Sequence, residues 1–139
     1  MDAGISWGLL ILRVALGATF LPHGRMKLNP QGPTKGPGGF AAWLKSMGVP
    51  MSGLLGWVVV LLETVGAGLL ILGLGTRLVA LGLVIDMLVA IVLVKRGMQK
   101  VGFMDAKGGW EFEFVLLAQA LALVFTGAGS IALDPLLGW

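Results

Sequence analysis

Residues 52–94 read SGLLGWVVVLLETVGAGLLILGLGTRLVALGLVIDMLVAIVLV and hold two apolar stretches, from Ser52 to Leu74 and from Thr76 to Val94. Each is close to the roughly 20 residues that a helix needs to cross a bilayer. The turn between them, Gly73-Leu74-Gly75, is very short. The stretch therefore predicts an antiparallel pair of membrane-spanning helices.

Two more apolar stretches flank this pair. The first runs from Ser6, a candidate N-cap, through Pro22 to Leu28, and the last from Gly109 to Thr126. Of the 139 residues, 57% are hydrophobic and 12% are charged, whereas soluble domains carry about 25% charged residues. We expect an all-α membrane protein, a bundle of four transmembrane helices forming a single domain over residues 1–139. Asp2 makes the first stretch a poor signal peptide, so we expect it to be retained.

The loop after the first span has two parts. Residues 29–39 are rich in Pro and Gly and predict irregular structure. Apolar residues then recur at helical spacing, at Phe40, Trp43, Leu44 and Met47. This pattern predicts a short amphipathic helix that lies in the membrane interface.

The basic residues are distributed unevenly between the predicted loops. Those in the loops after the first and third spans are Arg25, Lys27, Lys35, Lys45, Lys95, Arg96, Lys100 and Lys107. On the opposite side there is only Arg77. Because cytoplasmic loops carry the excess of Lys and Arg, we expect a plasma (inner) membrane protein with both termini outside the cytoplasm.

Each predicted span carries a polar residue near its middle: Arg13, Glu63, Asp86 and Gln119. A charge at the bilayer centre costs about 2.5–3.5 kcal/mol on insertion scales, so such residues usually face one another. Small residues share the helical faces of Arg13, Glu63 and Asp86, which indicates packing faces rather than lipid faces. We expect Arg13 to pair with Glu63. The network either fixes helix register only or forms a site.

One fixed positive charge faces two acids in this set. Desolvation would keep an unpaired carboxyl protonated, and such a group suits proton transfer. Asp86 is the candidate for this role; the alternative is that it stays neutral and acts only as a hydrogen-bond donor.

A second polar group is predicted at the cytoplasmic interface. His23 and Lys27 are i, i+4 neighbours at the end of the first span, and Glu111 opens the fourth. We expect Glu111 to point inward, on the face of Gln119, and Glu113 to be solvated. This group could bind an anion, such as an anionic sulfur substrate, or a quinone carbonyl. The alternative is that these cations only contact lipid phosphates.

The sequence lacks the motifs of several common cofactor and metal sites. The chain has no cysteine and one histidine, so thiol chemistry and bis-His haem ligation by the chain alone are excluded. The many glycines follow helix faces rather than a phosphate-binding loop. No metal, haem or nucleotide site is predicted, and no nucleic-acid binding.

The chain resembles the DoxX family of small membrane proteins with four spans. The matching segments are Leu12-Arg13, Pro22-His23-Gly24-x-x-Lys27, Gly39-Phe40-Ala41-Ala42-Trp43-Leu44, Glu63-x-x-Gly66, Leu72-Gly73-Leu74-Gly75-Thr76-Arg77 and Gly108-Gly109-Trp110-Glu111. They occur in family order along nearly the whole chain. The resemblance implies a membrane protein of redox context, with relatives that act in oxidoreductase complexes or in assembly. Asp86 matches no family segment.

The resulting hypothesis is a quinone-interacting oxidoreductase subunit or membrane anchor, in contact with lipids and with other membrane or peripheral redox subunits. Its candidate catalytic residues are His23, Glu63 and Asp86. Its candidate residues for binding substrate or quinone are Arg13, His23, Lys27, Glu111 and Gln119. The alternative is a non-catalytic accessory or assembly subunit of a larger membrane complex, and the sequence does not decide whether the chain is an enzyme.

Overall fold

The computed structural model describes residues 2–139, which are 73% helical and contain no strand. The helices are α1 (Ala3–Leu28), α2 (Gly36–Ser46), α3 (Ser52–Leu72), α4 (Thr76–Met98) and α5 (Glu111–Thr126), followed by a 3₁₀ turn at Asp134–Leu137. Helices α1, α3 and α4 are long and apolar enough to cross a membrane. The all-α prediction is confirmed.

Helix α1 begins earlier than the apolar pattern predicts. Asp2 is its N-cap, and the Asp2 carboxylate accepts a hydrogen bond from the Gly4 N–H at 2.8 Å. The prediction that Ser6 is the N-cap is wrong because Asp2 already satisfies a free amide of the first turn. Ser6 instead lies inside the helix, buried, with its hydroxyl 2.6 Å from that of Ser130.

Helix α2 starts inside the segment that was predicted to be irregular. Pro37 lies in its first turn, where the missing N–H is not needed. Its buried residues Phe40 and Leu44 pack against Val60 of α3. The predicted apolar stripe therefore faces another helix.

Glycines allow α1 and α3 to approach closely. A Cβ at Gly17 would lie 2.8 Å from the Ala67 carbonyl oxygen, and one at Gly24 would lie 2.6 Å from Thr64 Cγ2. Arg13 is 0% exposed and Glu63 is 3% exposed. The prediction that these charged residues lie on packing faces is confirmed.

Two helices contain wide, π-helical segments, Leu62–Gly66 in α3 and Ala90–Met98 in α4. Such segments are rare and are frequent at functional sites. Glu63 lies in the first of them.

Both termini lie at one end of the helices, here called the terminal end, where Ser6 meets Ser130. Arg13 closes the last turn of α3 at this end. Its guanidinium donates to the Ile71 carbonyl at 3.1 Å and to the Leu70 carbonyl at 3.4 Å, and also to the Ile131 carbonyl. The last carbonyls of a helix have no partner within the helix, so Arg13 acts as a side-chain cap.

Asp134 performs the matching role for α4. Its carboxylate accepts from the Gly75 N–H at 2.6 Å and from the Thr76 N–H at 3.0 Å, while its own N–H donates to the Gly73 carbonyl at 2.8 Å. The chain after α5 therefore folds back over the α3–α4 turn and satisfies both helix ends.

The prediction that Arg13 pairs with Glu63 is wrong. The antiparallel packing of α1 and α3 places Arg13 beside Ile71, whereas Gly24 lies beside Glu63. The 11 residues between Arg13 and Gly24 correspond to about 16 Å along a helix. Helix α1 extends beyond the α3–α4 turn, so the midpoints of α1 and α3 lie at different heights along the bundle.

We expect Gly73→Ala to destabilise the protein more than Gly75→Ala does. Both glycines have positive φ, 69° and 62°, which costs a side chain about 1–2 kcal/mol. A Cβ at Gly73 would also overlap the Arg13 guanidinium, whereas one at Gly75 would meet nothing within 4 Å. Thermal unfolding in detergent measures the difference. Equal losses would contradict the proposed packing of Arg13 against this turn.

Candidate functional site

A cleft of about 220 Å³ lies at the other end of the helices, here called the loop end. Most of its wall is apolar. The apolar lining residues are Phe20, Phe40, Trp43, Leu44, Val59, Met87, Val89, Ala90, Val94, Phe112 and Leu116. The polar lining residues are Thr19, His23, Lys27, Glu63, Asp86, Lys95 and Glu113. All five helices thus contribute to one amphipathic cleft.

Lys27 and Glu63 form an ion pair in this cleft. Their side chains are 17% and 4% exposed. Lys27 Nζ also lies 5.2 Å from the centroid of the Phe40 ring, a cation–π distance. Because Glu63 is in the π-helical segment of α3 and Phe40 is in α2, this ammonium group ties three helices together.

Asp86 lines the same cleft from α4. It lies within electrostatic reach of both Glu63 and Lys27. Its Oδ2 is buried and has no hydrogen-bond partner within residues 2–139. Buried polar atoms are nearly always hydrogen-bonded, so this oxygen indicates a place for a water molecule or a ligand group.

His23 lies on the exposed margin of the cleft. Its Nδ1 is 3.2 Å from the Thr19 carbonyl oxygen, which favours the tautomer with the proton on Nδ1. Nε2 then accepts a hydrogen bond when the ring is neutral and donates one when the ring is protonated. The ring can therefore serve either an acceptor or a donor on a ligand.

The prediction that Glu113 is solvated is wrong, whereas Glu111 is partly buried, with its Oε2 buried and without a hydrogen-bond partner among the described residues. Glu113 lines the cleft and its carboxylate lies 3.5 Å from Lys95 Nζ, with both side chains less than a fifth exposed. Glu111 does not line the cleft. The helix starts at Glu111 rather than Gly109, and the packing of Trp110 against Phe103 fixes its rotation.

The sequence did contain a signal for Glu113. The buried residues of α5 are Leu116, Ala120 and Leu123, and Glu113 continues this 3-4-3 spacing toward the N-terminus. Gln119 lies off that face, is partly buried and does not line the cleft.

The structure thus brings together four of the predicted site residues: His23, Lys27, Glu63 and Asp86. Arg13 lies at the terminal end, bound to backbone carbonyls. Sequence reasoning missed Lys95, which sits in the π-helical segment of α4. Among residues 2–139, no three His, Asp or Glu side chains are arranged to hold a metal ion.

The chain is apolar and all-α, has three helices long enough to cross a membrane, and contains a cleft lined by ionisable side chains. These features are those of a small helical membrane protein. The chain belongs to the DoxX family, whose model matches residues 8–96. This matched region includes every polar residue of the cleft except Glu113.

Two relatives align along most of their length. The Bacillus subtilis (strain 168) protein named "Putative oxidoreductase CatD" is 33% identical over 135 residues, covering 97% of this chain and 90% of the relative. A Mycobacterium tuberculosis protein named "Uncharacterized membrane protein Rv3486" is 32% identical over 134 residues, covering 91% of this chain and 78% of the relative. No solved structure matches the chain.

We expect Lys27 and Glu63 to be energetically coupled. Removing one partner of a buried ion pair typically costs about 3–5 kcal/mol because the other charge is left uncompensated. Lys27→Met and Glu63→Gln should each lower the free energy of unfolding in detergent, and the double variant should recover much of the loss. Arg13→Met combined with Glu63→Gln is the control and should give additive losses. Coupling in the control pair instead would contradict the observed pairing.

Proposed function

We propose that this DoxX-family membrane protein is a quinone-interacting subunit of a membrane oxidoreductase. The observation that carries the proposal is the amphipathic cleft, in which aromatic walls surround Lys27, Glu63, Asp86 and His23. The name of the Bacillus subtilis relative, "Putative oxidoreductase CatD", supports a redox role.

The cleft fits the head group of a quinone. Drug-sized ligands occupy sites of about 300–1,000 Å³, so about 220 Å³ suits a single substituted ring whose apolar tail stays in lipid. Phe20, Phe40 and Trp43 supply flat apolar surface for such a ring. Lys27 and protonated His23 are donors for its oxygens, and the free Oδ2 of Asp86 is an acceptor for a hydroxyl hydrogen.

A bound quinone supplies two-electron, two-proton redox chemistry. In the proposal the electrons are exchanged with a partner redox subunit, since the chain has no cysteine and one histidine with which to hold a redox centre. Lys27 holds a quinone oxygen and Glu63 orients Lys27. His23 and Asp86 exchange protons with the two ring oxygens. Arg13, Glu111 and Gln119 lie outside the cleft, and we assign them no ligand contact.

The proposal includes a specific placement in the membrane. Helix α5 would be the fourth span, although its 16 residues reach only about 24 Å against a hydrocarbon core of about 30 Å. Phe112, Val115 and Phe125 are exposed along it, as expected of lipid contacts, and local thinning of the bilayer accommodates a short span. Helix α2 would lie at the interface beside the loop end.

The second candidate function is a non-catalytic accessory or assembly subunit. The same lack of metal-binding cysteines favours it, because electrons taken from a quinone need an acceptor. In that case the cleft would hold a lipid or a segment of a partner rather than a redox-active ligand.

Binding of a short-chain ubiquinone analogue to the purified protein in nanodiscs tests the first function. We expect His23→Ala and Asp86→Asn each to weaken binding about tenfold, since one hydrogen bond to a charged group is worth about 1.5–3 kcal/mol. Arg25→Ala, a matched surface cation that does not line the cleft, should change binding by less than twofold. Quenching of tryptophan fluorescence provides the measurement, since Trp43 lines the cleft.

Two outcomes separate the candidate functions. Weakened quinone binding with intact assembly of the native complex supports the redox subunit. Unchanged quinone binding together with loss of partner subunits on a native gel supports the accessory subunit and refutes the quinone site.

The charge distribution also predicts the topology. Eight basic residues flank the loop end and Arg77 lies at the terminal end, so both termini should lie outside the cytoplasm. A reporter fused after Trp139 should be active only when the reporter requires export. Activity of a cytoplasmic reporter at that position would reverse the topology and place the cleft on the outer side.

A further inference from the structure

The second ion pair of the cleft, Lys95 with Glu113, has no part in the function proposed above. Lys95 comes from the π-helical segment of α4 and Glu113 from the first turn of α5. Lys95 also donates to the Gly108 carbonyl at 3.3 Å, which ties the pair to the adjoining loop. The pair therefore sits where the cleft meets the water-exposed loop end.

One oxygen of Glu113 is left without a partner. Its Oε1 faces Lys95, whereas its Oε2 is buried and accepts no hydrogen bond from the described part of the chain. Asp86 presents a second such oxygen in the same cleft. Two buried carboxyl oxygens in one cavity thus lack a hydrogen-bond partner.

The cleft connects these two carboxyls along α4. Asp86, Ala90 and Val94 line it at intervals of four residues, ending beside Lys95. The nine residues from Asp86 to Lys95 correspond to about 13 Å along a helix. A volume of about 220 Å³ holds about seven water molecules at 30 Å³ each. When no ring occupies it, the cleft can therefore contain a chain of water between Glu113 and Asp86.

The balance of charges in the cleft favours the binding of one proton. Three carboxyls, Glu63, Asp86 and Glu113, face two ammonium groups, Lys27 and Lys95, with the His23 ring at the margin. A net charge in a region of low dielectric is unfavourable. One proton held among the three carboxyls makes the cleft neutral when His23 is neutral.

We propose that Glu113 is the proton-entry residue of the cleft and that Lys95 positions it. Glu113 takes a proton from water at the loop end and passes it through the water chain to the Asp86 carboxylate, so one proton moves and no other bond changes. Glu113 is then ionised again and returns to its ion pair with Lys95. The route deepens the proposed redox function, because it would replace the protons that Asp86 exchanges, but its test needs no quinone.

Hydrogen–deuterium exchange of the Asp86 carboxyl, followed by infrared spectroscopy on the full chain in lipid without added quinone, tests the proposal. The protonated carboxyl band that disappears in Asp86→Asn is assigned to Asp86. We expect Glu113→Gln to slow deuteration of this band at least tenfold. Glu111→Gln is the matched control, since Glu111 lies two residues away and outside the cleft, and it should leave the rate within twofold.

Several results would overturn the proposal: a wild-type rate in Glu113→Gln, an equal slowing in Glu111→Gln, or no carboxyl band that depends on Asp86. Should Glu113→Gln not purify in folded form, Glu113→Leu removes the carboxyl with a side chain that lipid tolerates and carries the same expectation. Slow exchange in Glu113→Gln with no binding of the ubiquinone analogue to the wild type would support the proton route while refuting the quinone site.

Discussion

The structure depends on one constraint, which is that a charged group buried among apolar helices must be given a partner. The chain meets this constraint differently at its two ends. At the terminal end, the terminal nitrogens of Arg13 and the carboxylate of Asp134 are hydrogen-bonded to backbone groups, most of which lie at the ends of α3 and α4. At the loop end, Lys27 and Lys95 are satisfied by the carboxylates of Glu63 and Glu113.

The two ends therefore differ in whether their buried carboxyl groups are fully hydrogen-bonded. Both terminal nitrogens of Arg13 and both oxygens of Asp134 are hydrogen-bonded, so neither charge is available to a ligand. The carboxyls of Asp86 and Glu113 each keep a buried oxygen without a partner and line one cleft. Because native proteins rarely leave such atoms unpartnered, the oxygens of Asp86 and Glu113 mark places in this cleft for ordered water or for the polar groups of a ligand.

The sequence predicted the features that depend on local residue patterns. Apolar length and the small residues beside Arg13 and Glu63 located the helices and their packing faces. It could not predict which groups Arg13 contacts, because these are backbone carbonyls of residues distant in sequence, Ile71 and Ile131, and no sequence motif marks them. The rotation of α5, which decides between Glu111 and Glu113, is likewise set by a tertiary contact, the packing of Trp110 against Phe103.

The two acids beside Lys27 can have different roles because of how α3 is built. Glu63 lies in a π-helical segment that Gly24 approaches closely, so its carboxylate is held against Lys27 and the ammonium keeps a fixed position. A residue held in this way suits binding, since its orientation does not have to be established when a ligand arrives. Asp86 has no such bond at Oδ2 and can exchange a proton without breaking an ion pair. In the proposed function, binding is therefore assigned to Lys27 and Glu63, and proton exchange to the neighbouring Asp86.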